Sequence, residues 1–191
     1  MDRSDCTELN FITKASNLPS ILELGILSFN RAESISHHSV ANEEVQMRRE
    51  AVSVKNGLEL HDYANLYFNA RNPMMYFLSS MHAELVVIEV DSAILDVEGV
   101  ILSDMNAARD LVRFGPADEI LPLLKRDRLF AEYWIHDDPI DYDRHKGEMC
   151  AEVLVPNSVP VSYECAYLIW PHRDYLFRPH SASGIGGVRV N

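Results

Sequence analysis

Short runs of apolar and β-branched residues recur along this chain, and this feature most narrows the fold it can adopt. The runs occupy residues 85–90, 100–103, 151–155 and 166–170, with shorter ones at 9–13 and 66–69. Runs of this length and composition predict β-strands. The clearest helix signals come early, and strands that are not adjacent in sequence follow them. This order favours an α+β fold over a doubly wound parallel sheet.

Three asparagines mark predicted helix starts. Asn17 precedes a segment with helical apolar spacing that ends near Gly25, and Asn42 precedes a segment with two acids in its first turn. Asn72 is followed by Pro73, a residue favoured in the first turn of a helix. Weaker helical patterns cover 118–125, which contains Pro122, and 128–134.

The length of 191 residues fits one domain, predicted to span 1–180, with a loosely packed tail at 181–191. The cysteines Cys6, Cys150 and Cys165 have neither disulfide-framework nor metal-site spacing, which predicts reduced thiols in a cytoplasmic protein. The first residues lack the pattern of a signal peptide, and the longest apolar stretch is far too short to span a membrane.

The net charge of −12 counts against nucleic-acid binding by an extended basic surface. Two local groups of basic residues stand out, namely Arg48, Arg49 and Lys55, and Arg144, His145 and Lys146. Such groups can hold a short single strand while the acidic remainder keeps general affinity weak.

Glu152 lies between apolar residues in the predicted strand 151–155. Strand alternation places it on the face of Cys150 and Leu154, where a carboxylate is costly unless it is bonded or lines a cleft. Glu152 is therefore a catalytic candidate, and an edge strand that exposes it to solvent is the alternative.

Other polar pairs are less specific. Neighbouring helix positions point about 100° apart, so at most one of Arg48 and Arg49 is expected to face a given cleft. His61 and Asp62 could form an acid–base pair, although sequence neighbours rarely face each other, and capping or packing is favoured. A metal hydrolase built on His37, His38, His61 and Asp62 is disfavoured, because His37 and His38 lie in a predicted loop with no carboxylate at ligand spacing. No metal site is predicted.

Four motifs in order, over about residues 11–160, resemble the DarT family of single-stranded-DNA ADP-ribosyltransferase toxins. They are NLPSIL at 17–22 followed by glycine at 25, VQMRR at 45–49, LHDY at 60–63 with NPMMY at 72–76, and AEVLVP at 151–156. The resemblance implies an ADP-ribosyltransferase-like fold with a split mixed β-sheet core and flanking helices. It also implies that NAD⁺ is the ADP-ribose donor and that the acceptor is a base, thymine above all, in single-stranded DNA.

The resemblance assigns residues to roles. It places the catalytic glutamate at Glu152 and the functional arginine at Arg49, with Arg48 as the alternative. The NAD⁺ site is expected to include Phe11, Ile12, Thr13, Ser20 and Arg49. The segment 133–151 is expected to be a loop that meets the acceptor, and the DNA contacts are expected to be Arg48, Arg144, His145 and Lys146.

Two departures from the family pattern stand out. Phe11 replaces a histidine that commonly precedes the threonine by two residues. If that histidine contacts NAD⁺ in the family, binding of the nicotinamide end differs here. The usual PRSPM run here reads ARNPM at 70–74. The family further implies a toxin paired with a macrodomain antitoxin.

Alternatives to this function remain open at the level of sequence. One is a transferase of the same fold whose acceptor is guanine, RNA or protein. Another is a non-catalytic module that binds NAD⁺ or nucleic acid, against which the presence of both Arg49 and Glu152 argues.

Overall fold

The structure is a computed structural model that describes residues 1–54, 57–169 and 176–177, with the backbone alone for 165–169 and 176–177. Lys55, Trp170 at the end of one predicted strand, and the predicted tail 181–191 lie outside the described residues. The domain bounds therefore stay a prediction.

Short helices and strands joined by 3₁₀ turns form the regular structure. The helices are α1 (Leu18–Leu24), α2 (Phe29–Ala32), α3 (Glu43–Glu50), α4 (Pro73–Phe77), α5 (Ala117–Ile120), α6 (Arg126–Leu129) and α7 (Pro139–Glu148). The strands are β1 (Glu8–Lys14), β2 (Ile26–Leu27), β3 (Tyr63–Tyr67), β4 (Leu85–Asp91), β5 (Ile101–Ser103), β6 (Phe114–Gly115), β7 (Glu152–Pro156), β8 (Ser158–Val159), β9 (Glu164–Ile169) and β10 (Leu176–Phe177). The predicted α+β class is confirmed.

The predicted strands are present as β1, β3, β4, β5, β7 and β9. Asn42 and Asn72 cap α3 and α4 as predicted, because their side chains accept hydrogen bonds from the backbone N–H groups of Val45 and Met75 at 3.2 and 3.0 Å. Asn17 also precedes a helix, but its side chain makes no capping bond. That side chain is used elsewhere, in the wall of the functional site.

Three predictions of local structure need correction. The helix expected over 118–125 ends at Ile120, and Pro122 lies in the 3₁₀ turn that follows. The helix expected over 128–134 is the shorter α6. The expected loop 133–151 contains α7, which begins because the Asp138 side chain accepts a hydrogen bond from Ile140 N–H at 3.0 Å and Pro139 occupies the first turn.

The strands form an eight-stranded sheet in the order β10-β9-β4-β1-β3-β7-β5-β6. Every pairing described between these strands is antiparallel, whereas the resemblance implies a mixed sheet. β1 pairs with β4 along its whole length, from Glu8↔Asp91 to Lys14↔Leu85. Its pairing with β3 is reduced to Asn10↔Tyr67. The sheet is therefore split between β1 and β3, as predicted, and a cleft opens there.

A small second sheet pairs β2 with β8 beside the end of α1. Gly25 ends α1 with a φ of 78°, where a side chain is strained. A Cβ at this position would stand 2.2 Å from the carbonyl oxygen of Val159, so glycine alone allows the two segments to meet. The predicted helix end near Gly25 is confirmed.

The largest apolar core lies against the central strands, with Leu9, Ile88 and Val153 among its fully buried members. It holds β1, β4 and β7 rigidly on either side of the split. Among the described residues, no helix is both long and apolar enough to cross a membrane.

Candidate active site

A cavity of about 550 Å³ opens where β1 and β3 diverge. Its wall includes Phe11, Ile12 and Thr13 from β1 and Tyr63, Asn65 and Tyr67 from β3, and other parts come from α3, α4 and α7. Clefts for small molecules and cofactors usually measure about 300–1,000 Å³. The cavity thus has the size of a cofactor site.

Glu152 lies fully buried at the start of β7, behind the wall of this cavity. Both of its carboxylate oxygens accept hydrogen bonds from Nη1 of Arg49, at 3.1 Å for Oε1 and 2.9 Å for Oε2. Oε1 also accepts a bond from the backbone N–H of Ala107 at 2.9 Å. These contacts offset the cost of burying the charge.

The position of Glu152 in the sheet explains its burial. β7 pairs with β3 on one side and with β5 on the other, so it is an interior strand. The predicted inward position is confirmed, and the alternative of an exposed edge position is wrong.

The N–H of Ala107 is held in place by the turn that follows β5. The Asp104 carboxylate accepts hydrogen bonds from the backbone N–H and Nε of Arg113, at 2.8 and 2.7 Å. The N–H of Asn106 donates to a backbone carbonyl of α7 at 3.0 Å. The turn is therefore fixed at both ends, and its amide is aimed at Glu152.

Helix α3 brings Arg49 to the same carboxylate from 103 positions away in the chain. Arg49 is 5% exposed and lines the cavity, while Arg48 lines the wall nearer to solvent and donates from Nε to the Glu44 carbonyl at 3.3 Å. Both arginines line the cavity, so the expectation that at most one of them faces it is wrong, and Arg49 is the one that bonds to Glu152. Because Arg49 lines the cavity, it lies between the cavity and Glu152.

Burial and the charge of Glu152 keep two neighbouring groups neutral. Burial first, and then Glu152, raise the pKa of Tyr67 well above its usual value. The same two causes raise the pKa of the Cys150 thiol to about 12. Neither side chain adds a second negative charge beside Glu152 at neutral pH.

Asn17 links β1 to the segment that closes one side of the cavity. Its Nδ2 donates to Thr13 Oγ1 at 3.0 Å and to the His38 carbonyl at 2.9 Å, and its Oδ1 accepts from His38 N–H at 2.9 Å. Ser20 Oγ in turn donates to the Asn17 carbonyl at 2.9 Å. The buried Asn17 thus positions residues 37 and 38, both of which line the cavity.

The residues predicted for NAD⁺ come together in one wall. Phe11, Ile12, Thr13, Ser20 and Arg49 all line the cavity. Phe11, at the usual histidine position, places a phenylalanine in the cavity wall where a hydrogen-bonding ring is expected from the family pattern.

The residues predicted for DNA do not come together. On α7, Lys146 lines the cavity, whereas Arg144 is exposed and lines a smaller pocket elsewhere. His145 is buried, and its Nε2 and Nδ1 lie 2.9 and 2.7 Å from the Arg128 carbonyl and His136 Nε2. Helical geometry separates the three side chains, because consecutive positions point about 100° apart. His145, whose ring nitrogens both have protein partners, is not presented to a ligand in the cavity.

His61 and Asp62 do not face each other. The His61 ring stacks on Phe29 with centroids 4.2 Å apart, while Asp62 accepts a hydrogen bond from Asn30 Nδ2 at 2.7 Å. Burial, and then the charge of Arg49, lower the pKa of His61. A packing role for His61 follows. Across the part of the chain that the structure describes, no three His, Cys, Asp or Glu side chains form a group that could hold a metal.

Sequence reasoning missed two contributors to this site. The hydrogen bond from Ala107 to Glu152 comes from a backbone N–H, so the identity of the residue gives no indication of it. The sequence predicts Asn17 as a helix cap, a role that its side chain does not perform. Its bond to the backbone of His38 depends on the tertiary structure and has no signal in the sequence.

Comparison with known proteins gives a consistent result. Residues 11–163 match the family described as DarT, ssDNA thymidine ADP-ribosyltransferase. A DNA ADP-ribosyl transferase–DNA ADP-ribosyl glycohydrolase fusion protein of Thermosipho africanus (strain H17ap60334) is 32% identical over 174 residues, which cover 86% of this chain and 43% of that protein. The chain therefore spans less than half of this relative.

Two solved structures resemble the fold closely. The Thermosipho africanus DarTG in complex with ADP-ribose has a TM-score of 0.75 and 31% identity, with 87% of this chain and 44% of that chain covered. The Thermus sp. 2.9 DarT in complex with ADP-ribosylated ssDNA also has a TM-score of 0.75, with 25% identity and 88% and 84% of the two chains covered.

Proposed function

The chain belongs to the DarT family of ssDNA thymidine ADP-ribosyltransferases, and on this premise we propose that it transfers ADP-ribose from NAD⁺ to a thymine base in single-stranded DNA. The observation that supports this most is the buried ion pair between Arg49 and Glu152 behind the cavity wall. A charged pair removed from water is costly to keep. Its presence beside a cofactor-sized cavity favours a catalytic role.

The wall that includes Phe11, Thr13 and Ser20 is the proposed NAD⁺ site. It combines apolar and aromatic surface with a few polar groups, which is the usual make-up of a cofactor cleft. The relative from Thermosipho africanus with an ADP-ribose complex supports a ligand of this class. Phe11 can make van der Waals contact but no side-chain hydrogen bond, so we infer that NAD⁺ is bound differently at this position than in relatives with histidine.

The reaction breaks the bond between ribose C1′ and the nicotinamide nitrogen, and the bonding electrons leave with neutral nicotinamide. The ribose then resembles an oxocarbenium ion, as in glycoside hydrolysis. The Glu152 carboxylate stabilises this positive charge and accepts a hydrogen bond from the ribose 2′-hydroxyl. A carboxylate has about four lone-pair sites. Three are used by Arg49 and Ala107, which leaves one on Oε2.

Arg49 acts on the acceptor. Thymine N3 loses its proton to solvent and forms the new bond to C1′. A guanidinium is not a free base, since its pKa exceeds about 12, so Arg49 stabilises or polarises the deprotonating base instead. Because Arg49 covers Glu152 in this structure, its guanidinium has to turn aside as the two substrates enter.

Among the four residues predicted to contact DNA, Arg48 and Lys146 are the ones that line the cavity. They are the phosphate contacts we propose, because each presents a cation to a ligand there. Arg144 and His145 remain predictions without support from their positions.

We further propose the biological setting. A DNA ADP-ribosyltransferase that marks cellular DNA acts in the cytoplasm as a toxin. The fusion relative joins a transferase to a DNA ADP-ribosyl glycohydrolase. A separate macrodomain antitoxin with that glycohydrolase activity is therefore the partner we propose.

The test is to incubate the protein with NAD⁺ and a short single-stranded oligonucleotide and to measure the DNA mass. A gain of one ADP-ribose on thymine-containing DNA is expected, and Glu152→Gln should slow it roughly 10²–10³-fold. A mass gain on RNA or protein alone would show that DNA is not the acceptor, and no transfer to any of them would refute the transferase activity.

A further inference from the structure

Several large aromatic side chains are exposed to solvent at the end of α4 and in the segment after α6. Tyr76 and Phe77, at the end of α4, are 70% and 62% exposed, and Tyr133 is 67% exposed. Aromatic rings usually contribute to a core or an interface because each can bury a large area. Rings left this exposed on an ordered segment indicate a surface that binds something.

The rings belong to two segments that the fold brings together. The Tyr76 ring meets Trp134 edge to face, with centroids 5.6 Å apart and an interplanar angle of 81°. Arg71 and Glu132 form an ion pair at 3.9 Å between the same two segments. These contacts hold residues 71–76 against residues 132–134, and Phe77 and Tyr133 are the chain neighbours of the two rings in contact.

This surface continues into the cavity. Phe77 is exposed and also lines the cavity wall. Asn72 caps the start of α4, and Pro73 and Met75 are buried. The helix is thus anchored in the fold, with Pro73 and Phe77 in the cavity wall and the exposed Tyr76 ring next to Phe77 in the chain.

The charge of the protein decides what kind of contact a strand can make here. With a net charge of −12, the chain as a whole repels phosphates. Stacking of bases on aromatic rings does not depend on that charge, and it accepts any base because every base has a π-face. A nucleobase is therefore the ligand class that the exposed rings fit.

We propose that Tyr76, Phe77, Tyr133 and Trp134 form a stacking platform for the bases that flank the modified nucleotide of single-stranded DNA. The proposal rests on the proposed function for the identity of the strand. The platform supplies affinity that the acidic surface cannot, and it aligns the neighbouring nucleotides so that one base enters the cavity.

The experiment compares two oligonucleotides with one central thymine. In one the flanking nucleotides carry bases, and in the other they are abasic, so the phosphates are the same. Stacking contributes enough that the native protein should bind the base-containing strand about fivefold to a hundredfold more tightly. This preference should be largely lost in Tyr76→Ala and Trp134→Ala and largely kept in Trp134→Phe.

Phe130→Ala is the matched control, because Phe130 is also an exposed ring but contacts Arg126 instead of Tyr76. In transfer assays the platform variants should raise KM for DNA far more than they lower kcat at saturating DNA. Equal affinity of the native protein for both oligonucleotides, or an equal loss in Phe130→Ala, would overturn the platform.

A second readout separates this proposal from the transferase activity. In a Trp170→Phe background Trp134 is the remaining tryptophan of the two in the sequence. Base-containing DNA added without NAD⁺ should quench its fluorescence, and abasic-flanked DNA should quench it much less. Equal quenching by both, or none, would overturn the platform. Base-dependent quenching without ADP-ribose transfer would uphold the platform and refute the proposed function.

Discussion

Replacing Glu152 should separate its structural role from its catalytic one. Glu152→Ala leaves the Arg49 guanidinium buried without a counter-charge and the Ala107 amide without its acceptor. Breaking a buried ion pair in this way costs about 3–5 kcal/mol. In a chain of 191 residues that corresponds to a fall in Tm of about 6–20 °C.

Glu152→Gln is the sharper test of chemistry. Its amide oxygen can still accept the hydrogen bonds that Oε1 takes from Arg49 and Ala107. The loss of stability should therefore be smaller, at about 1.5–3 kcal/mol, the value of a hydrogen bond to a charged group. Without the negative charge, the rate of nicotinamide release should fall roughly 10²–10³-fold, from about 3–4 kcal/mol of lost transition-state stabilisation.

Thermal unfolding and nicotinamide release are measured on both variants and on a double variant lacking Arg49 as well. Removing both partners should be less destabilising than removing Glu152 alone, because no unpaired charge is left. A Glu152→Gln rate within about threefold of the native rate would refute the catalytic reasoning. An unchanged Tm for Glu152→Ala would refute the account of the buried pair.

Four further outcomes are expected. Asn17→Ala should raise KM for NAD⁺ more than it lowers kcat in steady-state assays, because it frees the wall at residues 37–38, and a loss in kcat alone would contradict this. Since the pKa of His61 is lowered in the folded state, the unfolded chain binds a proton that the folded chain does not, and stability should fall as pH drops below about 6.5. Denaturant unfolding at two pH values should show a smaller fall for His61→Phe, and an identical fall would refute the assignment. Because the pKa of Cys150 is about 12, peptide mass spectrometry should find this thiol unalkylated by iodoacetamide at pH 8 until the protein unfolds, and rapid alkylation of folded protein would refute its burial. Lys146→Ala should reduce the slope of log affinity for single-stranded DNA against log salt by about 0.7, more than Arg144→Ala does, and the reverse order would contradict their placement.

Much of the site could be predicted because its signals are local. An acid within an apolar strand indicated that Glu152 lies inside, and alternation along β7 is a short-range property. The caps at Asn42 and Asn72 likewise depend on residues a few positions away. The family motifs added Arg49 and the β1 residues of the cavity wall.

Other features escaped prediction for an equally physical reason. Asp138 and Pro139 start α7, but without a strong apolar pattern behind them the segment resembles a loop. The rotation between consecutive helix positions separates Lys146 from His145, and the packing of that helix decides that Lys146 lines the cavity while His145 is buried. Asn17 has the residue type of a cap, and the proximity of His38 gives its side chain other partners.

Sequence by itself determined six of the ten described strands, the starts of α1, α3 and α4 and the inward position of Glu152, because periodicity and capping act over a few neighbouring positions. The family resemblance added Arg49, with Arg48 as the alternative. Tertiary structure alone decided that Arg49 rather than Arg48 meets Glu152, that the Ala107 amide supports the carboxylate, and that the sheet opens between β1 and β3. Each of these depends on contacts between residues far apart in the chain. Every residue except proline has a backbone N–H, so the sequence cannot show which one meets the carboxylate.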